Sequence, residues 1–369
     1  MIFNMKGTNM MKRFTLKALT LILALSMLLP AALIGCAKSD GEPLTTDSES
    51  DSLAASPKAS VVLDLTEQWE KLHGENTLVQ GCLVINTAFA AAHPNEVARF
   101  LQDYSASVNK IKVADDTAVN TVVEAGILPK AAIATKALPS CNLCYIAGAD
   151  MKPVMNTFSQ KIFSYDATSI GGALPTDAFY YTASGDAEQA NKDLQMKVYA
   201  LNGTTALGMA QMIVDQKNGS SDMGYDISLH DKADAITGAI VSGECAIAAL
   251  PTNVAVKLFN KSQGKLQLLA LNTLGVLYLL QNGDQGVSSL SDLKGKTLYL
   301  PGAGSNPEYI TAALLSAAGL RIGTDVTLDT TTYNSPDALQ AAFVAGKAPL
   351  AILPEPKVTV ALTAANTQS

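Results

Sequence analysis

The sequence predicts an α/β fold in two lobes, each a mostly parallel sheet flanked by helices. Two observations predict it. Short apolar strands alternate with amphipathic helices through the middle and end of the chain, at the spacing of strand–helix units. Roughly 310 of the 369 residues follow the N-terminal region, a length that suits two lobes better than a single core.

The first 35 residues have the pattern of a secretory signal. Lys12 and Arg13 precede an apolar run over residues 19–33, and Gly35 stands directly before Cys36. The run is shorter than the about 20 residues that span a bilayer. A cysteine at this place resembles a bacterial lipoprotein signal, which implies cleavage before Cys36 and acylation of its sulfur and new amine, with chains such as palmitate. A plain signal with a chance cysteine and a short membrane helix are the alternatives.

Residues 36–57 are predicted to be the lipidated cysteine and a disordered linker. Residues 37–57 are rich in Ser, Asp, Glu, Thr and Ala and almost lack large apolar side chains. Such a segment cannot bury enough surface to offset the entropy of ordering it. Together with the signal, the linker predicts a protein tethered by lipid to the extracytoplasmic face of the cell membrane.

The charge balance limits the classes of partner that the folded protein is expected to bind. Residues 36–369 hold 22 basic and 33 acidic residues, a formal charge of −11 against −7 for the whole chain. An acidic body argues against a nucleic-acid partner and against electrostatic docking on anionic lipid. No further run is long and apolar enough to span a membrane, so we expect a soluble folded body.

The first folded part has strand candidates at residues 61–65 and 81–86. A helix is predicted over residues 94–109, because apolar side chains recur there at a helical period. Further helical stretches continue to about Ser164, and residues 184–193 form a polar connector without strong periodicity.

The second part alternates strands and helices more regularly. The predicted strands are residues 196–201, 245–250, 266–271, 277–280, 297–300 and 350–353. The predicted helices are residues 206–215, a helix that follows Asn253 and reaches Phe259, and residues 288–293 and 307–318, the last opened by a proline at its first position.

Four cysteines follow Cys36, and two of them form a Cys-x-x-Cys pair, Cys141 and Cys144. The three histidines are not spaced to complete a zinc site, so no metal site is expected. The remaining interpretations are buried thiols that behave as small apolar side chains and a Cys141–Cys144 disulfide.

Several segments together resemble the solute-binding lipoproteins of ATP-driven (ABC) importers, in the branch of the nitrate, sulfonate and thiamine-precursor binders. The segments that carry the resemblance are Leu201-Asn-Gly-Thr-Thr205, Ala249-Leu-Pro-Thr-Asn253, Ser289-Leu-Ser-Asp-Leu-Lys-Gly-Lys-Thr297, Leu353-Pro-Glu-Pro356 and the stretch from Thr87 to Phe100. The resemblance implies a type II periplasmic-binding-protein fold, in which two crossovers, here residues 79–85 and 276–281, join the lobes around a ligand cleft.

The order of the segments departs from that family. Residues 194–364 resemble the part that normally comes first, and residues 58–181 resemble the part that follows it. We therefore expect a circular permutant, with residues 184–193 bridging the old ends; a natural subfamily with another strand order is the alternative. The expected segments are 58–80 (end of lobe 2), 81–193 (helical return and connector of lobe 1), 194–280 (strand–helix units of lobe 1) and 281–369 (lobe 2).

Three strand-to-helix turns rich in small polar residues are the candidate ligand contacts. A helix N-terminus presents unpaired N–H groups and the positive end of the helix dipole, which suit anions or carbonyl-like acceptors. Ordinary helix capping is the alternative explanation for each turn. The candidates at these turns are Asn202, Gly203, Thr204, Thr205, Thr252, Asn253, Gly304, Ser305 and Asn306.

Three further residues are weaker candidates. Asn272 and Thr273 end a strand near the expected crossover, and Glu355 stands between two prolines, where it either pairs with a ligand amine or is solvated. After the signal, the chain has only Arg99 and Arg321, both expected to be exposed, so arginine recognition of a strong anion is not expected. Neutral or zwitterionic organic solutes and small anions both remain open.

The resemblance implies a non-catalytic receptor that binds a small solute and delivers it to an ABC permease, as a monomer and without a cofactor. Two alternatives are an enzyme on the same fold, of the thiamine-pyrimidine type, and a ligand-free sensor or scaffold lipoprotein. The near absence of histidine argues against the enzyme, because a poised base or nucleophile is the usual sign of catalysis.

Overall fold

The computed structural model describes residues 58–367. The predicted signal, the lipidation site Cys36, the linker to residue 57 and residues 368–369 lie outside the described residues. Lipidation of Cys36 therefore stays a prediction.

The described residues contain two separate β-sheets. The strands in chain order are β1 (Ala59–Asp64), β2 (Val79–Asn86), β3 (Leu143–Ala147), β4 (Met196–Leu201), β5 (Tyr225–His230), β6 (Ile247–Pro251), β7 (Leu266–Leu274), β8 (Leu277–Asn282), β9 (Thr297–Tyr299), β10 (Thr327–Asp329) and β11 (Leu350–Pro354). One sheet has the order β1-β8-β11-β9-β10, and the other has the order β3-β7-β2-β6-β4-β5.

Helices connect and cover these strands. In chain order they are α1 (Leu65–His73), α2 (Thr87–Ala92), α3 (Pro94–Lys112), α4 (Asp116–Glu124), α5 (Ala131–Ala137), α6 (Met151–Tyr165), α7 (Thr204–Leu207), α8 (Ala210–Lys217), α9 (Ala233–Ser242), α10 (Thr252–Ser262), α11 (Asn306–Ala317), α12 (Pro336–Val344) and α13 (Lys357–Thr367). Two sheets flanked by helices confirm the predicted two-lobed α/β class.

The sheets are mixed, so the expectation of mostly parallel sheets was wrong. Parallel pairing joins β4 to β5 and β6, and β9 to β10 and β11. In contrast, β2 is antiparallel to β6 and β7, β3 is antiparallel to β7, and β8 is antiparallel to β1 and β11.

The antiparallel strands follow from where the chain passes between the sheets. It crosses after α1 into β2 and again from β7 into β8. The first residues of β2 and β8 lie opposite the last residues of β6 and β11, since Gly81 pairs with Pro251 and Leu277 pairs with Pro354. The strands of the strand–helix units end at this edge of each sheet. A strand that begins at the same edge must therefore run antiparallel to them.

The two crossings lie side by side. The Val276 backbone N–H donates to Gln80 Oε1 at 2.6 Å, which joins the second crossing to the first. The predicted crossover segments lie on strands, in line with the strands predicted at residues 81–86 and 277–280: residues 79–85 fall within β2, and residues 276–281 are almost wholly β8. The chain itself changes sheet just before each of them, at residues 74–78 and 275–276.

The predicted helical period of residues 94–109 corresponds to α3, which begins at Pro94 and continues to Lys112. The apolar part of its buried face is formed by Val97, Phe100, Tyr104, Val108 and Ile111, spaced three or four residues apart. This face packs with strands of the six-stranded sheet in one apolar core.

The predicted helix over residues 206–215 is two helices, α7 and α8, separated at Gly208 and Met209. Gly208 lies against the ring of Tyr104, where an added Cβ would be 2.3 Å from the hydroxyl oxygen. The close approach of the two segments therefore requires glycine at this position.

The two ends of the described chain are adjacent. The Ala59 N–H donates to Asn366 Oδ1, and Asn366 Nδ2 donates to the Ala59 carbonyl oxygen, both at 2.9 Å. Adjacent ends are a condition that a permuted chain has to meet, and the exchanged order stays a prediction.

The cysteines after Cys36 are buried free thiols: Cys82, Cys141, Cys144 and Cys245. Burial raises the pKa of the Cys144 thiol to about 12, and that of Cys245 to about 12. Of the two interpretations left open for Cys141 and Cys144, the structure has the buried thiols. In residues 58–367, no helix is long and apolar enough to cross a membrane.

We expect Gly81→Ala to destabilise the fold, because a Cβ at this position in β2 would lie 2.5 Å from Asn272 Oδ1 and 2.8 Å from Thr273 Oγ1. Overpacking of this kind costs about 1–3 kcal/mol in free energy of unfolding. The matched control is Gly238→Ala in α9, where a Cβ meets nothing within 4 Å and should stabilise the helix by about 0.5–1 kcal/mol. Urea titrations that give equal effects for both variants would contradict this packing.

Candidate functional site

A cavity of about 310 Å³ lies between the two sheets, at the edges where the strands end and the following helices begin. From the six-stranded lobe it is lined by Leu201, Asn202, Gly203, Thr204, Thr205, Ala233, Pro251, Asn253 and Val254. From the five-stranded lobe it is lined by Pro301, Gly304, Ser305, Asn306, Pro307, Pro336, Pro354, Glu355, Pro356 and Lys357. Gln80, Val276 and Leu277, at the two crossings, complete the lining.

The structure brings nine of the twelve predicted contact residues to this cavity. They are Asn202, Gly203, Thr204, Thr205, Asn253, Gly304, Ser305, Asn306 and Glu355. The three candidate turns, far apart in sequence, thus meet at one place because β4, β6 and β9 end on the same side. Ligand contact by these residues stays a prediction.

The other three predicted residues, Thr252, Asn272 and Thr273, are buried and do not line the cavity. The Thr252 hydroxyl donates to the Val79 carbonyl at 2.7 Å, and Asn272 Nδ2 donates to the Thr205 carbonyl at 3.0 Å. The Thr273 hydroxyl donates to Asn272 Oδ1 at 3.1 Å. These bonds fix the strand ends and the first turn behind the cavity wall.

The turn from β4 to α7 gives the cavity exposed backbone. Gly203 has a φ of 123°, which side-chain-bearing residues rarely adopt, and α7 has no side-chain cap. The Thr205 hydroxyl turns back to the Leu201 carbonyl at 2.7 Å. The backbone around Gly203, rather than the Thr205 hydroxyl, is therefore the part of this turn available to a ligand.

Two buried carboxamides span the gap between the lobes. Asn253, in the first turn of α10, donates through Nδ2 to the Gly304 carbonyl at 3.4 Å. Asn306, the first residue of α11, donates through Nδ2 to the Gln80 carbonyl at 3.1 Å and to the Thr252 hydroxyl at 3.3 Å. Each bond joins an amide of one lobe to an oxygen of the other.

The carbonyl oxygens of the same two carboxamides have no hydrogen-bond partner among residues 58–367. Asn253 Oδ1 and Asn306 Oδ1 are both buried and accept no hydrogen bond, although their residues are only 1% and 4% exposed. A buried polar atom left unpaired costs about 1–3 kcal/mol. Both residues line the cavity, but these two oxygen atoms have almost no accessible surface of their own.

Glu355 is the one acidic side chain of the lining. Its carboxylate accepts from the Thr359 N–H at 3.2 Å and from the Thr359 hydroxyl at 2.9 Å. Burial raises the pKa of Glu355 to about 7, and the two bonds from Thr359 partly oppose that rise. Glu355 is therefore not a solvated turn residue: its side chain is buried beside the cavity.

The remaining walls are largely apolar and rich in proline. The prolines of the lining are Pro251, Pro301, Pro307, Pro336, Pro354 and Pro356. A proline has no N–H, so those at the first turns of α11 and α12 remove donors that a helix N-terminus would otherwise present. The cavity therefore offers fewer backbone donors to an anion than its several helix N-termini suggest.

Neither arginine lines the cavity. Arg99 is half-buried rather than exposed, because its guanidinium binds Asp103 and Asp222 at 2.9 and 2.7 Å. Arg321 is exposed and binds Asp325 at 3.1 Å. The basic group of the lining is Lys357, whose Nζ is paired with the Asp337 carboxylate. Strong recognition of an anion by a free cation is thus not built into this wall.

The sequence missed several lining residues. Gln80, Val276 and Leu277 fall in the predicted crossovers, but nothing in their residue types marks them as cavity walls. Pro336 could have been found from the Ser335-Pro336-Asp337 helix start, a strong N-terminal signal that α12 follows. In residues 58–367 no group of three or more His, Cys, Asp or Glu is placed to hold a metal ion.

Comparison with known proteins finds few similarities. No family model and no curated protein matches the chain. Among solved structures, the chain is similar to the alkanesulfonate-binding protein SsuA from Xanthomonas axonopodis pv. citri bound to MOPS, at 18% identity and a TM-score of 0.31. The match covers 45% of this chain and 56% of that one, so it spans little more than half of SsuA.

We expect the free energy of unfolding of the unliganded protein to depend on Glu355 and pH. The raised pKa means that the folded state holds this proton more tightly than the unfolded chain, so the stabilisation is full below about pH 4.5 and is lost by about pH 7. Glu355→Gln should therefore match the wild type at pH 4.5 and exceed it by about 3 kcal/mol at most at pH 8.

Denaturant titrations from pH 4.5 to 8 measure this difference. The exposed Glu75→Gln is the matched control, and it should follow the wild-type profile. A Glu355→Gln variant whose advantage does not grow with pH would show that the carboxyl is not held protonated by burial.

Proposed function

We propose that this protein is a non-catalytic receptor that captures a small solute between its two lobes. The single observation that carries the proposal is the placement of the cavity. Strand ends and helix starts of the two lobes converge on one cleft of about 310 Å³, a volume suited to a small molecule. A solute held there contacts both lobes and both crossings.

The connection between the lobes supports closure around a solute. The chain passes between the sheets at two adjacent places, and side-chain bonds from Asn253 and Asn306 bridge the gap. Two short side-by-side crossings can act as a hinge. In this proposal, a bound solute stabilises the closed arrangement by adding contacts to both lobes at once.

The composition of the lining favours binding over catalysis. It contains no histidine or cysteine, and Glu355 is its one carboxylate. A hydrolytic or acid–base enzyme usually needs a nucleophile or a second titratable group beside such a carboxylate. We therefore prefer the receptor function to the two alternatives, an enzyme and a ligand-free scaffold.

The proposed setting of the receptor comes from the sequence. We propose that lipid on Cys36 holds it at the extracytoplasmic face of the cell membrane, and that residues 37–57 are the tether. There it would pass its solute to an ABC permease, as a monomer. A circularly permuted order of the two blocks belongs to the same proposal.

Native purification followed by mass spectrometry tests the receptor most simply. We expect a small molecule to accompany the folded protein, and we expect calorimetric titration of the unfolded and refolded protein with that molecule to show one site without turnover. Conversion of the molecule to a product would favour the enzyme instead. A protein that carries no small molecule and is stabilised by none in a solute library would contradict the receptor.

A cavity-filling variant tests the place of binding. We expect Val254→Trp, in the first turn of α10, to abolish the rise in melting temperature that the co-purified molecule causes, because the indole would occupy the cavity. The control is Val113→Trp at a position that is 64% exposed and away from the cavity; it should keep the full rise. An unchanged rise in Val254→Trp would place the solute elsewhere.

A further inference from the structure

The sequence contains three Asn-Gly pairs, at residues 202–203, 218–219 and 282–283. Asparagine is one of the thermolabile residues of proteins. Before a glycine it can react with its own chain, because a glycine has no Cβ to keep the asparagine carboxamide away from the next backbone nitrogen. The attacking nitrogen has to be free of hydrogen bonds, so the fold decides which of the three pairs reacts.

The pair in the candidate site meets this condition. Asn202 is exposed; its N–H donates to the His230 carbonyl at 2.8 Å, and its Nδ2 donates to Asp231 Oδ1 at 3.3 Å. The Gly203 N–H has no hydrogen-bond partner among residues 58–367. A Cβ added at Gly203 would meet nothing within 4 Å, so the space beside this glycine is open.

The second pair lies at the end of α8, where its nitrogen is engaged. The Gly219 N–H donates to the Gln216 carbonyl at 3.2 Å, and the Asn218 N–H donates to the Val214 carbonyl at 3.0 Å. Both residues of the pair are exposed, so water reaches them. Reaction here first has to break one exposed backbone hydrogen bond.

The third pair is closed to reaction in the folded chain. Asn282 is only 8% exposed, and its Nδ2 donates to the Phe343 carbonyl at 2.6 Å. The Gly283 N–H donates to the Lys58 carbonyl. Both reacting groups are therefore held, and this pair can react only after the end of β8 opens locally.

We propose that Asn202 is a site of spontaneous covalent modification in the cavity wall. The Gly203 nitrogen forms a bond to Asn202 Cγ while the bond from Cγ to Nδ2 breaks, and the proton of the Gly203 N–H leaves by way of water with the departing ammonia. A second water molecule then opens the resulting succinimide ring at one of its two carbonyls. The products are aspartate and isoaspartate, and nothing is oxidised or reduced.

The products change the wall of the cavity. Both add a negative charge beside Asp231, and isoaspartate also adds a methylene to the main chain at the turn where Gly203 exposes its backbone. The effect on binding rests on the proposed receptor function. A solute that contacts this turn slows the reaction, and the converted protein binds that solute less well.

Peptide mapping tests the site without any ligand. The protein is incubated at pH 8 and 37 °C, mass spectrometry measures amide-to-acid conversion at the three asparagines, and isoaspartyl methyltransferase detects isoaspartate. We expect conversion at Asn202 to be at least about tenfold faster than at Asn282, which first has to open, and Asn218 to lie between them. Asn202→Gln should remove the signal at this peptide, because glutamine would have to close a larger ring.

The same chain unfolded in guanidinium is the matched control. Its three pairs have no fold to distinguish them, so their rates should come close together. Equal rates at the three pairs in the folded protein, or conversion at Asn218 before Asn202, would overturn the proposal.

A second comparison separates this proposal from the receptor function. Protein that retains its co-purified molecule is compared with protein that has been unfolded and refolded without it. We expect the molecule to slow conversion at Asn202 in proportion to the occupied fraction and to leave the rate at Asn218 unchanged. Equal rates at Asn202 in the two samples would contradict solute contact at this turn and leave the modification intact. Slow conversion at Asn202 in the empty protein would overturn the modification and leave the receptor intact.

Discussion

The arrangement depends on the carboxamides of Asn253 and Asn306, which bond across the gap between two separately built sheets. Their NH₂ groups meet carbonyl oxygens of the opposite lobe, and Asn306 reaches Gln80 at the crossing itself. The same two side chains thus set how the two lobes meet beside the cavity.

The direction of the strands is the second constraint. In every strand–helix unit that contributes to the cavity, the strand ends at the edge of the cavity. The crossing strands β2 and β8 begin at that edge and run antiparallel to β6 and β11. Because of this, turns that are 50 to 152 residues apart in sequence, at Gly203, Asn253, Ser305 and Glu355, face one space. Proline at several of these turns limits the backbone N–H groups that the space contains.

Much of the fold could be predicted from local sequence patterns. The strand β4 has the predicted bounds, and α3 and α11 begin within one residue of their predicted prolines, because apolar periodicity and proline signals are local. The mixed pairing could not be predicted, since it depends on where the chain crosses between sheets. The edge strand β5 was missed as well, because its residues are half-exposed and lack a continuous apolar run.

The candidate site, like the fold, could be predicted only in part from local sequence patterns. Small polar residues at strand ends indicated nine of the lining residues. That Thr252, Asn272 and Thr273 turn away into the wall could not be predicted, because their hydrogen-bond partners are far away in the sequence or set by the strand ends. The central claim is that a solute lies in the cavity between the two lobes, and a crystal structure of protein purified natively with its solute tests it most directly. We predict electron density for the solute in this cavity, in contact with residues of both lobes such as Gly203 and Ser305. Density for the solute at any other place on the protein would contradict the account.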